Sequence, residues 1–461
     1  MLNRTYMRLI IVSVFLLFSY VFSAQNTVLI TQNTSQEFNL ESLSQSTFSN
    51  ITNFNQGLNN GTFWFKIYND NQMSNVLQIP STHIDNVSLY SSKGIEFGET
   101  VFSRFPTFSL DKYDDYPLYM KVNMLKEAYF PITITPKNTY LEANQKTLFK
   151  LGGYYGFAIM VILINLMCFI LFDEKVFLHY LIFLSTVTLS FFYSDGLFHL
   201  FGFNGAFSIK FLEPILHIAV AIFGAYFATN FLKLYEYLPK LKWLTSGFIL
   251  SAAILFTVNW INGQWIYAAI AEAITFSILA IHLLAGITLF KSKVYARFYV
   301  VAYSLFLFLV FDYFVFKNFG INFLSISSLQ LKVAGILEMI VLTYAIMYRM
   351  RSIKEENELM QTEMRIYLKR IEMMRLTENI QMVDDIYIEN LIDHYNLSHT
   401  ETRLLQYISD GNDNTKIARK LNTTEKVVEK ITKELYQKLE IGEQVQEDYR
   451  IVDEQPDYIY N

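Results

Sequence analysis

Seven long apolar segments, at 149–172, 176–194, 211–232, 243–261, 265–290, 298–316 and 329–348, govern what this chain can fold into. Each runs about 19 to 26 residues, and at 1.5 Å rise per residue a helix of that length crosses the roughly 30 Å hydrocarbon core of a bilayer. Between Phe149 and Tyr348 only 19 of 200 residues are Asp, Glu, Lys or Arg, against 17% over all 461 residues. Such depletion excludes an ordinary soluble enzyme. The net charge of −5 argues against a protein that coats nucleic acid by bulk electrostatics. The single cysteine, Cys168, lies in an apolar run, so no disulfide framework or cysteine metal site is expected.

The loops between these segments set the expected orientation, because cytoplasmic loops are enriched in Lys and Arg. One set carries Lys175, Lys233, Lys240, Lys242, Lys291, Lys293, Arg297, Arg349, Arg351 and Lys354; the alternate set carries only Lys210 and Lys317. The chain opens with Arg4 and Arg8, the apolar run Leu9 to Phe22, and Ser23-Ala24-Gln25. That order reads as a secretory signal peptide, too short to span, with an uncleaved anchor as the alternative. The segment after it is therefore expected outside, and everything beyond Tyr348 in the cytoplasm.

Residues 25–148 alternate apolar and polar positions. Phe63 to Tyr68, Val87 to Tyr90 and Tyr116 to Val122 read as strands, with turns at Gly61, Asn69-Asp70-Asn71, Lys93-Gly94 and Asp114-Asp115. This pattern predicts an exported all-β sandwich. Trp64 and the tyrosines fit either a sandwich core or a sugar-binding face. No nucleophile motif or histidine cluster is visible, and no catalytic output is expected.

Ionisable residues inside membrane spans are functional candidates. Glu213, His217, Glu272, Asp312, Lys332 and Glu338 all fall in the outer half of the spans when depth is counted from the outer helix ends. They predict a polar pocket for a cationic or hydrogen-bonding ligand, or for protons; inter-helix glue is the alternative. Four carboxylates cannot all ionise in one low-dielectric space, so some are expected neutral or paired with Lys332 or His217. His179, His199 and His282 are expected to be structural. No metal or other cofactor is expected.

No Pro or Gly occurs between Ile336 and Gly411, so the seventh span is expected to continue as a helix. Ile353, Asn357, Met360, Met364, Tyr367 and Ile371 follow alternating steps that describe a coiled-coil seam, with Asn357 at a register-fixing position, and hence a homodimer. A helix packing on its own domain is the other reading. Beyond it, 397–441 reads as three helices. Gly411 ends the first, and Thr424 is a good N-cap for the third, whose apolar face carries Val428, Ile431, Leu435 and Leu439.

Glu401, Leu405, Gly411, Asn414, Ile417, Ala418, Leu421, Thr424, Glu425, Lys426, Val428, Lys438 and Leu439 closely resemble the LuxR-type helix-turn-helix over about 45 residues without a gap. The resemblance implies that the helix beginning near Glu425 enters a major groove, with Thr424 at its entry and Lys426 at a family position. Lys430 and Lys433 are added as DNA contacts on helical spacing alone. Glu429, Ile431 and Thr432 depart from the family's usual basic residues. From Leu397 to Ile441 there are 8 basic and 7 acidic residues, and an acidic stretch follows, so phosphate attraction is weak and protein recruitment is the alternative output.

The whole layout resembles bacterial seven-transmembrane receptors with diverse intracellular signalling modules, and Thr62 to Lys66, Ile84 to Tyr90, Phe105-Pro106 and Tyr119 to Val122 look like the second extracellular-domain type of that family. That resemblance implies an external carbohydrate or other small-molecule ligand. The expected architecture is a multidomain membrane protein: signal peptide 1–24, jelly-roll-like all-β sandwich 25–148, transmembrane bundle 149–348, coiled coil 349–383, all-α helix-turn-helix 384–442 and acidic tail 443–461. Its expected function is a receptor that regulates transcription by binding DNA, with a transporter as a further alternative.

Overall fold

A computed structural model of the chain describes residues 28–32, 43, 48–50, 55–68, 74–93, 95–97, 103–110, 116–201, 211–321, 323–324, 326–377 and 394–441. The expected signal peptide, the turns at 69–71 and 114–115, and the acidic tail lie outside them. The chain divides into two compact units, Met1–Ile346 and Met347–Asn461.

The first unit begins with two antiparallel sheets. The larger has the order β2-β1-β3-β8-β5-β6, with β1 Val28–Gln32, β2 Ser49–Asn50, β3 Gly61–Ile67, β5 Ile84–Tyr90, β6 Glu96–Phe97 and β8 Leu118–Met124. The smaller has the order β7-β4-β9, from β4 Asn75–Gln78, β7 Thr107–Ser109 and β9 Thr133–Pro136. Period-two alternation sends Phe63, Phe65 and Ile67 of β3 and Leu118, Met120, Val122 and Met124 of β8 into one core. Leu77 and Phe108 of the smaller sheet share that core. Trp64 faces the opposite way, yet it is buried with Leu43 and Tyr119. It is a core residue and does not line an open sugar-binding face. Gly61 lies in β3 rather than in a turn.

Seven helices among the described residues are long and apolar enough to cross a membrane. They are α1 Lys137–Phe172, α2 Lys175–Ser194, α3 Glu213–Leu232, α4 Leu241–Asn262, α5 Trp265–Thr288, α6 Val294–Val310 and α7 Ser328–Thr377. The chain is a multi-pass membrane protein. β9 ends at Pro136 and α1 begins at Lys137, so residues 137–148 are helix and not part of the β region. Apolar run length located only the lipid-compatible part of α1; the polar first turns are helical without being apolar. α6 passes into a π-helical stretch, Phe311–Val315, and a 3₁₀ turn, Phe316–Phe319. A π segment rotates the side chains that follow it, and here it carries Asp312 and Tyr313.

The β region docks on the bundle end formed by the loops poor in basic residues. Asn60 Nδ2 donates to the Gly263 carbonyl at 3.0 Å, Asn55 Nδ2 to the Lys317 carbonyl at 2.9 Å, and His199 Nδ1 lies 2.8 Å from the Ser103 carbonyl. Two close approaches need glycine. Gly57 and Gly320 meet backbone to backbone, and a Cβ on Gly196 would stand 2.2 Å from the Arg104 carbonyl oxygen. Gly196 also has φ +72°, a conformation that costs an L side chain about 1–2 kcal/mol. Gly196→Ala is expected to lift the 103–106 segment off the bundle, with amide exchange at 103–108 rising tenfold or more. Unchanged exchange would show that this contact does not hold the segment.

The second unit contains α8 His399–Ser409, α9 Asn414–Lys420 and α10 Glu425–Lys438. A capping box between Ser398 and Glu401 starts α8. The Asp413 side chain caps α9, and Gly411 at φ +76° ends α8. Thr424 occupies the N-cap position of α10, but its side chain makes no capping hydrogen bond. Leu404, Leu405, Ile408, Ile417, Val428, Leu435 and Leu439 form the core.

Candidate functional site at the junction of sheets and bundle

The loop after β8 places Lys126 and Glu127, and the turn before β5 places His83, against the ends of α3, α5 and α6. The Lys126 ammonium donates to Glu213 and lies 3.4 Å from Glu272 Oε1. His83 holds Glu127 through Nδ1 at 2.8 Å and Glu213 through Nε2 at 3.0 Å. Lys317 stands 3.7 Å from Glu127 and 3.9 Å above the centre of the Tyr129 ring. Asn318 donates to Glu272 Oε2 at 2.5 Å, and His217 Nδ1 is 3.4 Å from Glu272 Oε1. Three buried carboxylates thus face two ammonium groups and the imidazoles of His83 and His217. With His83 protonated the cluster is neutral, as burial requires.

Burial opposes protonation of His83, but the charges of Glu127 and Glu213 outweigh it and raise the imidazole from 6.5 to about 9. Burial likewise opposes ionisation of Glu127, and His83, with help from Lys317 and Lys126, holds that carboxyl below its ordinary 4.5. The signs are opposite. The His83 contribution to the docked state is complete below pH 6.5 and is lost as pH rises through about 9. The Glu127 contribution is complete above pH 4.5 and is lost as pH falls through the lowered value. Docking, followed by amide exchange at 80–84 and 125–130, is expected to be tightest between pH 4.5 and 6.5 and to loosen towards pH 9. Protection that instead rises across that range would remove His83 from the lock.

Of the six expected pocket residues, only Glu213, His217 and Glu272 come together. Their ligand atoms lie within 4.8 Å of one another, a spacing that could hold a metal ion. The Lys126 ammonium already sits on both carboxylates, and a metal would have to displace it. Asp312 caps the following loop, accepting from the amides of Leu324 at 3.0 Å and Ile326 at 3.3 Å. Lys332 pairs with Asp195 at 2.8 Å and contacts the Ser328 hydroxyl at 2.5 Å. Glu338 is buried apart from these groups, and its Oε1 has no hydrogen-bond partner among the described residues. Sequence reading missed His83, Lys126, Glu127, Lys317, Asn318 and Asp195. The Glu213-x-x-x-His217 spacing was a readable signal; the rest lie far apart in sequence.

Beside the cluster is a cavity of about 560 Å³ walled by both parts of the first unit. Arg104, Phe105, Tyr129 and Pro131 line it from the β region; Lys150, Leu151, Asp195, Tyr313, Ser328 and Leu329 line it from α1, α2, α6 and α7. Its volume is that of a small-molecule site.

In the second unit Thr424, Lys430 and Lys433 are exposed along α10, whereas Lys426 is half-buried. Lys430 lies 3.6 Å from Glu434. Lys438 bonds Glu401 at 3.1 Å and the Asn396 carbonyl at 2.9 Å, clamping α10 to α8. The expected dimer seam is partly engaged within the chain itself. Met364 and Leu368 enter the core of the second unit, with Tyr367 packed against it. Gln361 bonds Asn414, Arg365 Nε donates to the Ile408 carbonyl at 3.3 Å, and Tyr436 bonds Glu363. The buried stripe is Asn357, Gln361, Met364 and Leu368, while Ile353 and Met360 are half-buried. The Ile371 side chain lies outside the described residues.

Residues 147–349 match a family model described as 7TM diverse intracellular signalling. Residues 395–447 match one described as bacterial regulatory proteins, luxR family. Comparisons with curated proteins and with solved structures give no significant match. The chain therefore joins a seven-transmembrane domain of the diverse intracellular signalling family to a C-terminal domain of the LuxR family.

Proposed function

We propose that this protein is a one-component membrane receptor in which a small molecule, bound between the β region and the bundle, alters how the LuxR-type domain engages DNA. The observation that carries the reading is the cavity at the junction, because its wall includes Ser328 and Leu329. Those residues belong to the first turn of α7, the helix that runs from Ser328 to Thr377 into the second unit. A ligand there touches the element that leads to the output. The LuxR match and the exposed Thr424, Lys430 and Lys433 support DNA as the target. The Thr424 hydroxyl, not spent on capping, is suited to a phosphate at the start of α10.

The facing sheets are read as a jelly-roll-like sandwich outside the cytoplasmic membrane, with the second unit inside. The basic-residue asymmetry of the loops supports this orientation. Dimerisation would use the α7 surface left over from packing in the chain itself: Ile353 and Met360 beside the exposed Leu359 and Ile366. Genome-wide crosslinking of the tagged full-length protein tests the reading. Discrete peaks are expected, and background-level crosslinking would exclude DNA as the target.

A further inference from the structure

We infer that the 560 Å³ cavity takes a small carboxylate carrying an apolar body, with Arg104 and Lys150 as its anion-binding groups. This rests on the receptor reading above and specifies its ligand. The argument is an inventory of donors and acceptors on the cavity wall.

Both acids on that wall are already used. Asp195 Oδ1 accepts from Lys332 at 2.8 Å and from Ser328 at 3.0 Å, and its other oxygen accepts from Tyr155. Each oxygen of Asp312 accepts a backbone amide. Lys317 is held by Glu127 and Tyr129. The donors, in contrast, are under-used. Arg104 reaches the Asp195 carbonyl only at 3.4 Å and Asn144 only at 3.5 Å, and its buried Nε has no partner among the described residues. Lys150, on α1, is exposed at the same cavity.

The Arg104 Nε is enclosed, but its two terminal nitrogens are held only at 3.4 and 3.5 Å, and a weakly matched guanidinium is suited to the charge-assisted hydrogen bonds of a carboxylate. The two wall carboxylates, the strongest acceptors a neutral sugar could use there, are occupied. The apolar and aromatic part of the wall, including Phe105, Tyr129, Leu151 and Leu329, fits a hydrocarbon or ring. The acidic pocket expected from the sequence predicts a cationic ligand. In the folded chain Lys126 and His83 take Glu213, Lys126 also takes Glu272, and backbone amides take Asp312, so these acids do not line a cation site.

The test is isothermal titration of the full-length protein, in nanodiscs of phosphatidylcholine, with phenylacetate, butyrate, hexanoate and decanoate, each beside its neutral amide. The acids are expected to bind at least tenfold tighter than their amides. Arg104→Gln is expected to remove that preference, and Arg104→Lys to retain part of it. Equal binding of acids and amides, no binding by any probe, or an acid preference that survives Arg104→Gln each overturn the assignment. A parallel series with phosphatidylglycerol separates a soluble acid from a lipid headgroup: acid affinity that falls as this lipid is added assigns the site to headgroups and also overturns it. DNA crosslinking by the same protein reads the receptor proposal separately, because failure of the ligand class leaves the crosslinking peaks in place.

Discussion

Lys126→Met is expected to release the β region from the bundle. The substitution keeps most of the side-chain volume but removes an ammonium that contacts both Glu213 and Glu272. Both carboxylates are buried, and stranding a buried charge in this way costs about 3–5 kcal/mol. At 1.4 kcal/mol per factor of ten, amide protection at 80–84 and 125–130 should fall about a hundredfold or more. A second substitution tests the cause. Adding Glu213→Gln to Lys126→Met removes one stranded charge and should recover part of the protection. Protection that is unchanged in Lys126→Met would mean that the ion pairs contribute nothing to docking, and shape alone would hold the two parts together.

Charge reversal on the exposed face of α10 gives the second large effect. Lys430→Glu with Lys433→Glu replaces two exposed cations by anions on the helix that begins at Thr424. Each phosphate contact accounts for about 0.9 in the slope of log affinity against log salt, so the slope should fall by about 2. With at least ~1 kcal/mol lost per contact, affinity for the crosslinked sites should drop about thirtyfold or more. Lys426→Glu should have a smaller effect, because that residue is half-buried. Lys438→Ala should act through folding, since its ammonium holds Glu401 and the Asn396 carbonyl. Full site occupancy by the Lys430/Lys433 double variant would overturn the proposal that α10 contacts DNA.

The contrast between the two regions shows what kinds of feature are legible in a linear pattern. The α8–α10 module was readable because its turn glycine and apolar spacing are local: Gly411 at a positive φ, and Val428, Leu435 and Leu439 on one face. Of its caps only the Thr424 position was expected, and there the side chain makes no bond, while Ser398 and Asp413 supply the caps of α8 and α9. The same holds for period-two strands such as β3 and β8. The helix of α7 was readable too, but its partner was not. Apolar spacing specifies that a face will be buried and leaves open whether a second chain or the same chain buries it. Met364 and Leu368 are buried by the chain's own helices. Trp64 carries a related lesson, since an aromatic on the outer side of a sheet is equally consistent with a ligand face and with the small cluster that covers it.

The sequence by itself determined the segments that can cross a membrane, the distribution of basic loops, the strand-forming stretches and the C-terminal three-helix module. All of these depend on composition or on residues within a turn or two of one another. Tertiary structure alone decided the chemistry of the junction. Lys126 and Glu213 are 87 positions apart, His83 and Glu213 130, and Lys126 and Glu272 146. Helix depth could place the acids at one end of the bundle, but it could not reveal which cations the β region would bring to them. The outcome depends on that pairing, because in a low-dielectric junction the nearest opposite charge decides whether a carboxylate is a ligand site or a lock.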